Sequence, residues 1–230
     1  MNGAAVAWWW VADWVYALRW QVRSLRRGSP PHDGPPAPGC RDVVLVPGVY
    51  ESWRFLAPLT EALRGAGHAV HAVEALGFQR ASIPDGADLV RRFAAERGLR
   101  GAALVAHSKG GLVGKLLLVQ DAESGAPGGQ DAAFERLVAV NTPFAGSSLA
   151  RWVPLLRSVR AFRPDDPLIA RLAAAHGADD RITAVRSAVD PTTPRSRDLP
   201  GARNVRLDAV GHFRVLSDRR LHRAVLDALR

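Results

Sequence analysis

The stretch Ala102-Ala-Leu-Val-Ala106-His107-Ser108-Lys109-Gly110-Gly-Leu-Val-Gly-Lys-Leu-Leu-Leu118 decides how this chain is read. An apolar run leads into a pentapeptide centred on Ser108, and a helical run follows. That is a strand, a sharp turn with a serine at its tip, then a helix. Ala106 and Gly110, two before and two after the serine, let the chain turn where larger side chains would meet the neighbouring backbone. Such a turn lifts the Ser108 hydroxyl above the sheet and aims the Lys109 N–H at the same spot, an arrangement suited to acyl transfer. The same residues would also serve as a helix start capped by serine. The residues downstream decide between the two.

Outward from this elbow, short β-branched runs alternate with helical stretches. Val43 to Val46, Ala69 to Val73, Ala102 to Ala106, Leu137 to Asn141, Ile182 to Val189 and Asn204 to Leu207 read as buried strands. Helices are expected at 52–65, 86–97, 110–121, 149–161, 166–175 and 217–229, the second capped by Asp85. This alternation predicts an α/β fold, with a mostly parallel sheet of about six strands flanked by helices. In such sheets the site lies at the carboxyl ends of the strands.

A serine hydroxyl needs a base to take its proton, and the base needs an acid to hold its tautomer. Of the histidines, His212 follows Gly211 directly after the last strand and its extension. His107 adjoins the serine, but neighbouring side chains on a strand point to opposite faces, so it is expected to point away. For the acid, Asp190 ends the strand Ile182 to Val189 and precedes Pro191. Asp198, deeper in a polar loop, and Asp208 are rivals. An Asx-turn before proline is the plainer reading of Asp190. The order Ser108, Asp190, His212 favours catalysis. A tetrahedral intermediate needs two N–H donors. Lys109 is expected to supply one, and Val49, in the loop Val46-Pro47-Gly48-Val49-Tyr50, the other.

With these residues assembled, the sequence resembles the α/β-hydrolases, and among them the small bacterial lipases and esterases. Ala106-His107-Ser108-Lys109-Gly110-Gly111 resembles their elbow. Asn141-Thr142-Pro143-Phe144-Ala145-Gly146-Ser147 resembles the segment after their next strand, and Gly211-His212-Phe213 their terminal base motif. The likeness spans about residues 41–230. Pro47-Gly48 departs from the usual His-Gly of the oxyanion loop. The resemblance implies hydrolysis of carboxylic esters of apolar acyl chains through an acyl-enzyme. It also implies a small helical cap at about 149–176, where Trp152, Leu155, Leu156, Val159 and Phe162 recur at helical spacing. Tyr50, Trp53, Phe144 and Trp152 are the candidate pocket residues. Thioesterase, amidase or acyltransferase chemistry would use the same groups. A membrane-tethered binding module without activity is the non-enzymatic alternative.

The amino-terminal stretch is unlike the rest. Five of the seven tryptophans fall within the first twenty residues: Trp8, Trp9, Trp10, Trp14 and Trp20. No positive charge precedes the apolar run, as a secretory signal would require, and Asp13 interrupts a run already short for a membrane span. On a helical wheel Ala4, Ala7, Val11, Trp14, Val15, Leu18, Val22 and Leu25 share one face, and Arg19, Arg23, Arg26 and Arg27 gather toward the carboxyl end. This predicts an extra helix over 1–27 that lies in a membrane surface or docks on the domain. Residues 28–40 read as a Pro-rich linker, and 41–230 as the main domain.

The chain of 230 residues has a formal net charge of +9 and is 47% hydrophobic. The basic charge is nearly all arginine, scattered along helices rather than gathered in one run, and nucleic-acid motifs are absent. With Cys40 as the single cysteine, there is no intrachain disulfide and no cysteine-based metal site. Pro38 and the polar stretch before Cys40 argue against a lipoprotein cleavage box. No metal or organic cofactor is expected. The expected location is cytoplasmic, at or near the inner face of a membrane.

Overall fold

The computed structural model describes residues 3–25, 28–125, 132–147, 162–193 and 197–230. The expected helix at 149–161 and Trp152 lie outside them. Six strands, β1 (Asp42–Val46), β2 (Ala69–Ala72), β3 (Ala102–His107), β4 (Phe134–Val140), β5 (Ile182–Val189) and β6 (Arg203–Val210), form one sheet in the order 2-1-3-4-5-6. Every neighbouring pair is parallel. The central strands bury both faces, which is why they read as continuous apolar runs rather than alternating ones.

The helices are α1 (Gly3–Ser24), α2 (Ala57–Gly65), α3 (Ile83–Glu96), α4 (Lys109–Glu123), α5 (Pro167–Ala174) and α6 (Arg219–Leu229). Alternate residues of each strand feed opposite layers. Val44, Leu104 and Leu137 pack with Val90 of α3, Leu112 and Leu116 of α4, and Ile169 of α5. Leu45, Val105 and Val138 pack with Leu59 of α2, Val225 of α6 and Ala17 of α1. Almost every side chain of α4 is buried, as expected of a helix apolar all round. The strand order turns between β1 and β3, so the loops after these strands diverge and leave a crevice at their carboxyl ends. Val49 follows one of them and Ser108 the other.

Several boundaries differ from the sequence reading. The first helix is a 3-10 turn, Trp53–Leu56, followed by α2, which carries Pro58 in its first turn where no N–H is needed. Ser82, not Asp85, caps α3. Its hydroxyl accepts from the Asp85 N–H at 3.1 Å and donates to the Asp85 carboxylate at 2.6 Å. Strand β6 continues to Val210, so Asp208 lies within it and is exposed.

Residues 28–40 are not free of the domain. The Ala72 N–H donates to Pro31 O at 2.9 Å, the Asp33 N–H to Val70 O at 3.2 Å and the Ala37 N–H to Gly67 O at 2.9 Å. The Asp33 carboxylate accepts from the Val70 N–H at 2.9 Å and from the Arg64 guanidinium. This stretch therefore runs along the outer edge of β2.

Helix α1 docks by a narrow polar and aromatic strip. Asp13 and Ala17 are buried. Tyr16 Oη meets Ser217 Oγ at 2.8 Å, Gln21 donates to Tyr50 O at 3.1 Å, and Ser24 Oγ meets Ser52 Oγ at 2.6 Å. The described part of the aliphatic face picked out by the helical wheel points the other way: Val11, Trp14, Val15, Leu18, Val22 and Leu25 are all exposed.

Candidate active site

Ser108 sits between β3 and α4 with φ +52° and ψ −118°. A non-glycine residue held there costs on the order of 1–3 kcal/mol, and it persists only where the surroundings over-determine it. The Ser108 N–H donates to Val140 O at 2.8 Å, and its carbonyl accepts from the Gly111 N–H at 3.1 Å and the Thr142 hydroxyl at 3.0 Å. Gly110 and Gly111 permit this closeness. A Cβ at 110 would lie 2.0 Å from Val46 O, and one at 111 would lie 2.0 Å from Thr142 Oγ1. The start of α4 is thus pressed against the ends of β1 and β4, with the serine at the crest.

His212 and Asp190 meet at 2.7 Å between Nδ1 and Oδ2. Both are buried. The Asp190 carboxylate also accepts from the N–H groups of Thr192 at 2.8 Å and Thr193 at 3.1 Å, and from the Thr193 hydroxyl at 2.7 Å. It therefore makes the Asx-turn as well as facing the imidazole. Burial alone would raise its pKa, but the His212 charge and these donors outweigh burial and hold it at about 2. Burial would likewise push the His212 imidazolium down, and the adjoining Asp190 carboxylate outweighs it, so the pKa is raised. With Nδ1–H facing Asp190, the neutral ring presents Nε2 as the acceptor. The rival Asp198 is exposed and bound to Arg186 at 2.7 Å.

The backbone of His212 is held from several sides by residues the sequence reading did not enlist. The His107 ring faces its carbonyl oxygen, Nε2 at 2.9 Å, while His107 Nδ1 lies 2.8 Å from Glu51 Oε1. Glu51 Oε2 accepts from the Gly48 N–H at 2.7 Å. Asn141, itself at φ +46°, reaches Gly211 O and His212 O at 3.1 Å each, and its Oδ1 accepts from the Ser187 N–H at 2.8 Å. From α1, the Asp13 carboxylate accepts from the N–H groups of His212, Phe213 and Arg214 at 2.8, 2.9 and 2.9 Å. Asn141 opens the quoted motif and Glu51 falls three residues after Gly48, so both were within reach of the pattern. Asp13 lies 199 residues from His212 and carried no such signal.

The candidate oxyanion donors sit on the two loops that flank the crevice. Lys109 is the first residue of α4, so its N–H has no acceptor within the helix. Val49 follows Gly48, whose own N–H is committed to Glu51. The Lys109 side chain turns away and is buried, its amine donating to Ala81 O and, at 3.1 Å, to Gln79 O. Burial lowers that amine to about 8. Among the pocket candidates, Tyr50 and Trp53 are half-buried in the loop and 3-10 turn after β1. Phe144 is packed into the core beside α4. A cleft of about 430 Å³ lined by Glu135, Arg136, Asp180 and Arg181 opens at the amino ends of β4 and β5, the opposite end of the sheet from Ser108. Among the described residues, no group of three or more His, Cys, Asp or Glu side chains is arranged to hold a metal ion.

No protein-family model matches this sequence, and no curated protein matches it significantly. Solved structures do resemble it. A mature lipase from Bacillus licheniformis is 16% identical with a TM-score of 0.64, the match covering 86% of this chain and 95% of that one. A monoacylglycerol lipase from Paleococcus ferrophilus is 17% identical with a TM-score of 0.59, covering 89% and 98%. A thioesterase of the prodiginine pathway in Streptomyces coelicolor is 21% identical with a TM-score of 0.53, covering 89% and 97%. The chain has the α/β-hydrolase fold.

Proposed function

We propose that this protein is a serine hydrolase of carboxylic esters with apolar acyl groups. The observation that carries the reading is the forced backbone of Ser108 at the head of α4, at the same end of the sheet as a buried His212–Asp190 pair. Ser108 Oγ attacks the acyl carbon as its proton passes to His212 Nε2. The N–H groups of Lys109 and Val49 receive the oxyanion, where preorganised donors are worth most. The imidazolium then protonates the leaving alcohol. In the second half, His212 takes a proton from water, and the resulting attack frees the acid and restores Ser108. Asp190 stays ionised throughout and fixes the ring. Tyr50, Trp53, Phe144 and Trp152 are the residues proposed to meet the acyl chain. The thioesterase among the structural neighbours keeps a thioester as the second reading, since the same steps cleave it.

The outward face of α1 supports peripheral contact with an anionic lipid surface. It joins exposed Trp8, Trp14, Val15, Leu18 and Val22 to the exposed Arg19, apolar side chains for the interface and a cation for head groups. No helix among the described residues is long and apolar enough to cross a membrane.

A fluorophosphonate probe tests the main reading. The wild type should be labelled and Ser108→Ala should not; equal labelling of both defeats it. Rates on p-nitrophenyl esters and on an acyl thioester then separate the two substrate classes.

A further inference from the structure

Helix α1 lies outside the strand–helix alternation, yet it reaches the centre of the site through one side chain. Asp13 is almost wholly buried, at 1% exposure. Its Oδ2 accepts from the His212 N–H, and its Oδ1 accepts from those of Phe213 and Arg214. Three successive backbone donors converge on one carboxylate, in the loop that leads into the 3-10 turn Arg214–Ser217. Such donors are the unsatisfied N–H groups of a helix start, which a carboxylate satisfies by hydrogen bond and by charge. The capping residue normally comes from the loop itself; here it comes from the other end of the chain.

The local geometry is built around this carboxylate. Gly211, at φ +112°, would place a Cβ 2.5 Å from Arg214 Cγ and 2.6 Å from Asp13 Oδ1, so any side chain at 211 would press on this carboxylate. Trp14, next in α1, packs its ring on Phe213 with centroids 5.6 Å apart, and the Arg214 guanidinium lies 4.8 Å from the Trp9 ring. With the His212 carbonyl held by His107 and Asn141, both sides of its peptide backbone are fixed.

We propose that Asp13 is a positioning residue for the base: α1 works as a strap whose single buried carboxylate sets the direction of the His212 imidazole. The proposal rests on the reading of Ser108, Asp190 and His212 given above. Its consequence is that α1 belongs to the catalytic unit and is no detachable anchor. The groups facing His212 are Asp190 from the end of β5, Glu51 from the loop after β1, His107 from the end of β3, and Asp13 from α1, with Arg214 in its own loop. Of these, the Asp13 carboxylate favours the imidazolium, though less than Asp190 does.

Asp13→Asn separates positioning from mere support of the fold. The amide can still accept from two of the N–H groups but turns an N–H of its own toward the third. For the folded variant, kcat on a short soluble ester should fall tenfold or more, with KM within twofold of wild type. The His212 ring titration, followed by NMR, should move to lower pH as the Asp13 charge is lost. A folded Asp13→Asn with kcat within twofold and an unmoved titration overturns the proposal. So does a loss of activity that only tracks the unfolded fraction. If Asp13→Asn does not fold, hydrogen exchange in the wild type decides. The amides of residues 212–214 should be protected as well as those of β6, and exchange at the rate of an open loop overturns the proposal. A wild type that is neither labelled by a fluorophosphonate nor active on esters would defeat the hydrolase reading. The titration and exchange results would still judge the strap.

Discussion

The Nε2 of His107 lies 2.9 Å from the carbonyl oxygen of His212, and through Glu51 the same ring is tied to the Gly48 N–H. The two loops proposed to supply the oxyanion donor and the base are thereby joined beneath the site by one buried pair. Each ring nitrogen of His107 faces an oxygen. Removing His107 would leave Glu51 buried and uncompensated. His107→Ala should therefore lose about 3–5 kcal/mol of stability, read by urea unfolding. A loss under about 1 kcal/mol would show that the buried pair adds little to the fold.

Asp190→Asn should lower turnover by on the order of 10⁴, since an acid that no longer holds the base in its tautomer disables the unit. Asp198→Asn should leave turnover unchanged, because that carboxylate is exposed and paired with Arg186. Full activity in the first variant, or its loss in the second, would reassign the acid.

The reaction needs neutral His212, whose pKa is raised in the fold. The acid limb of kcat/KM should accordingly have its midpoint above the ordinary histidine value of about 6.5, with activity growing as pH rises through it. The stability contribution runs the other way. The protonated pair stabilises the fold below the unfolded-state pKa, and that gain disappears as pH rises through the folded-state value. A limb centred below 6 would contradict the arrangement.

Lys109 carries an amine lowered to about 8 by burial. Between that value and the ordinary lysine value of about 10.4, the unfolded chain binds more protons than the folded one. This group therefore adds stability as pH climbs through that window. Lys109→Met should erase the gain and keep ester hydrolysis within about tenfold, because the proposed donor is its backbone N–H. Urea midpoints at pH 7.5 and 9.5 for both proteins measure the difference.

The lipid contact proposed for α1 predicts that the full chain sediments with phosphatidylglycerol vesicles at low salt and less so with phosphatidylcholine. The double variant Val15→Glu, Leu18→Glu should stay in the supernatant while hydrolysing a short soluble ester as before. Self-association that both substitutions abolish, without any vesicle binding, would assign the face to a second copy instead.

Much of this molecule was legible in its sequence because its signals are local. The runs at Val43, Ala102 and Ile182 mark strands buried on both faces. Ser108 and Gly110 mark a turn whose steric demand is written in adjacent residues. Asp190 and His212 were singled out by their positions after strands, and their side chains meet in the fold. What the sequence concealed was long-range. Asp13 looked like an interruption in an apolar helix, since its partners are backbone N–H groups at the other end of the chain. The aliphatic face of α1 was legible, but not its direction, because a helical wheel gives a stripe and never says which side meets the domain. Residues 28–40 looked like a linker because proline reports local conformation and is silent about which sheet edge the segment lies along.

That segment has a meaning for how the molecule keeps to itself. Strand β2 ends the sheet, and all four of its residues, His71 among them, are buried. Left bare, such a border is a template on which another chain can add a strand. Pro31 and Asp33 occupy its hydrogen-bonding groups first, and Ala37 bonds Gly67 just ahead of the strand. The proline-rich composition then prevents the covering segment from becoming a new template, because a residue without an N–H cannot extend a ladder. The opposite border, β6, carries exposed Arg203 and Arg206 instead. The two margins of the sheet are thus guarded by different means, one by occupation and one by charge. A version of the chain starting at residue 41 would lose the first guard and should polymerise through β2 even where its active site is intact.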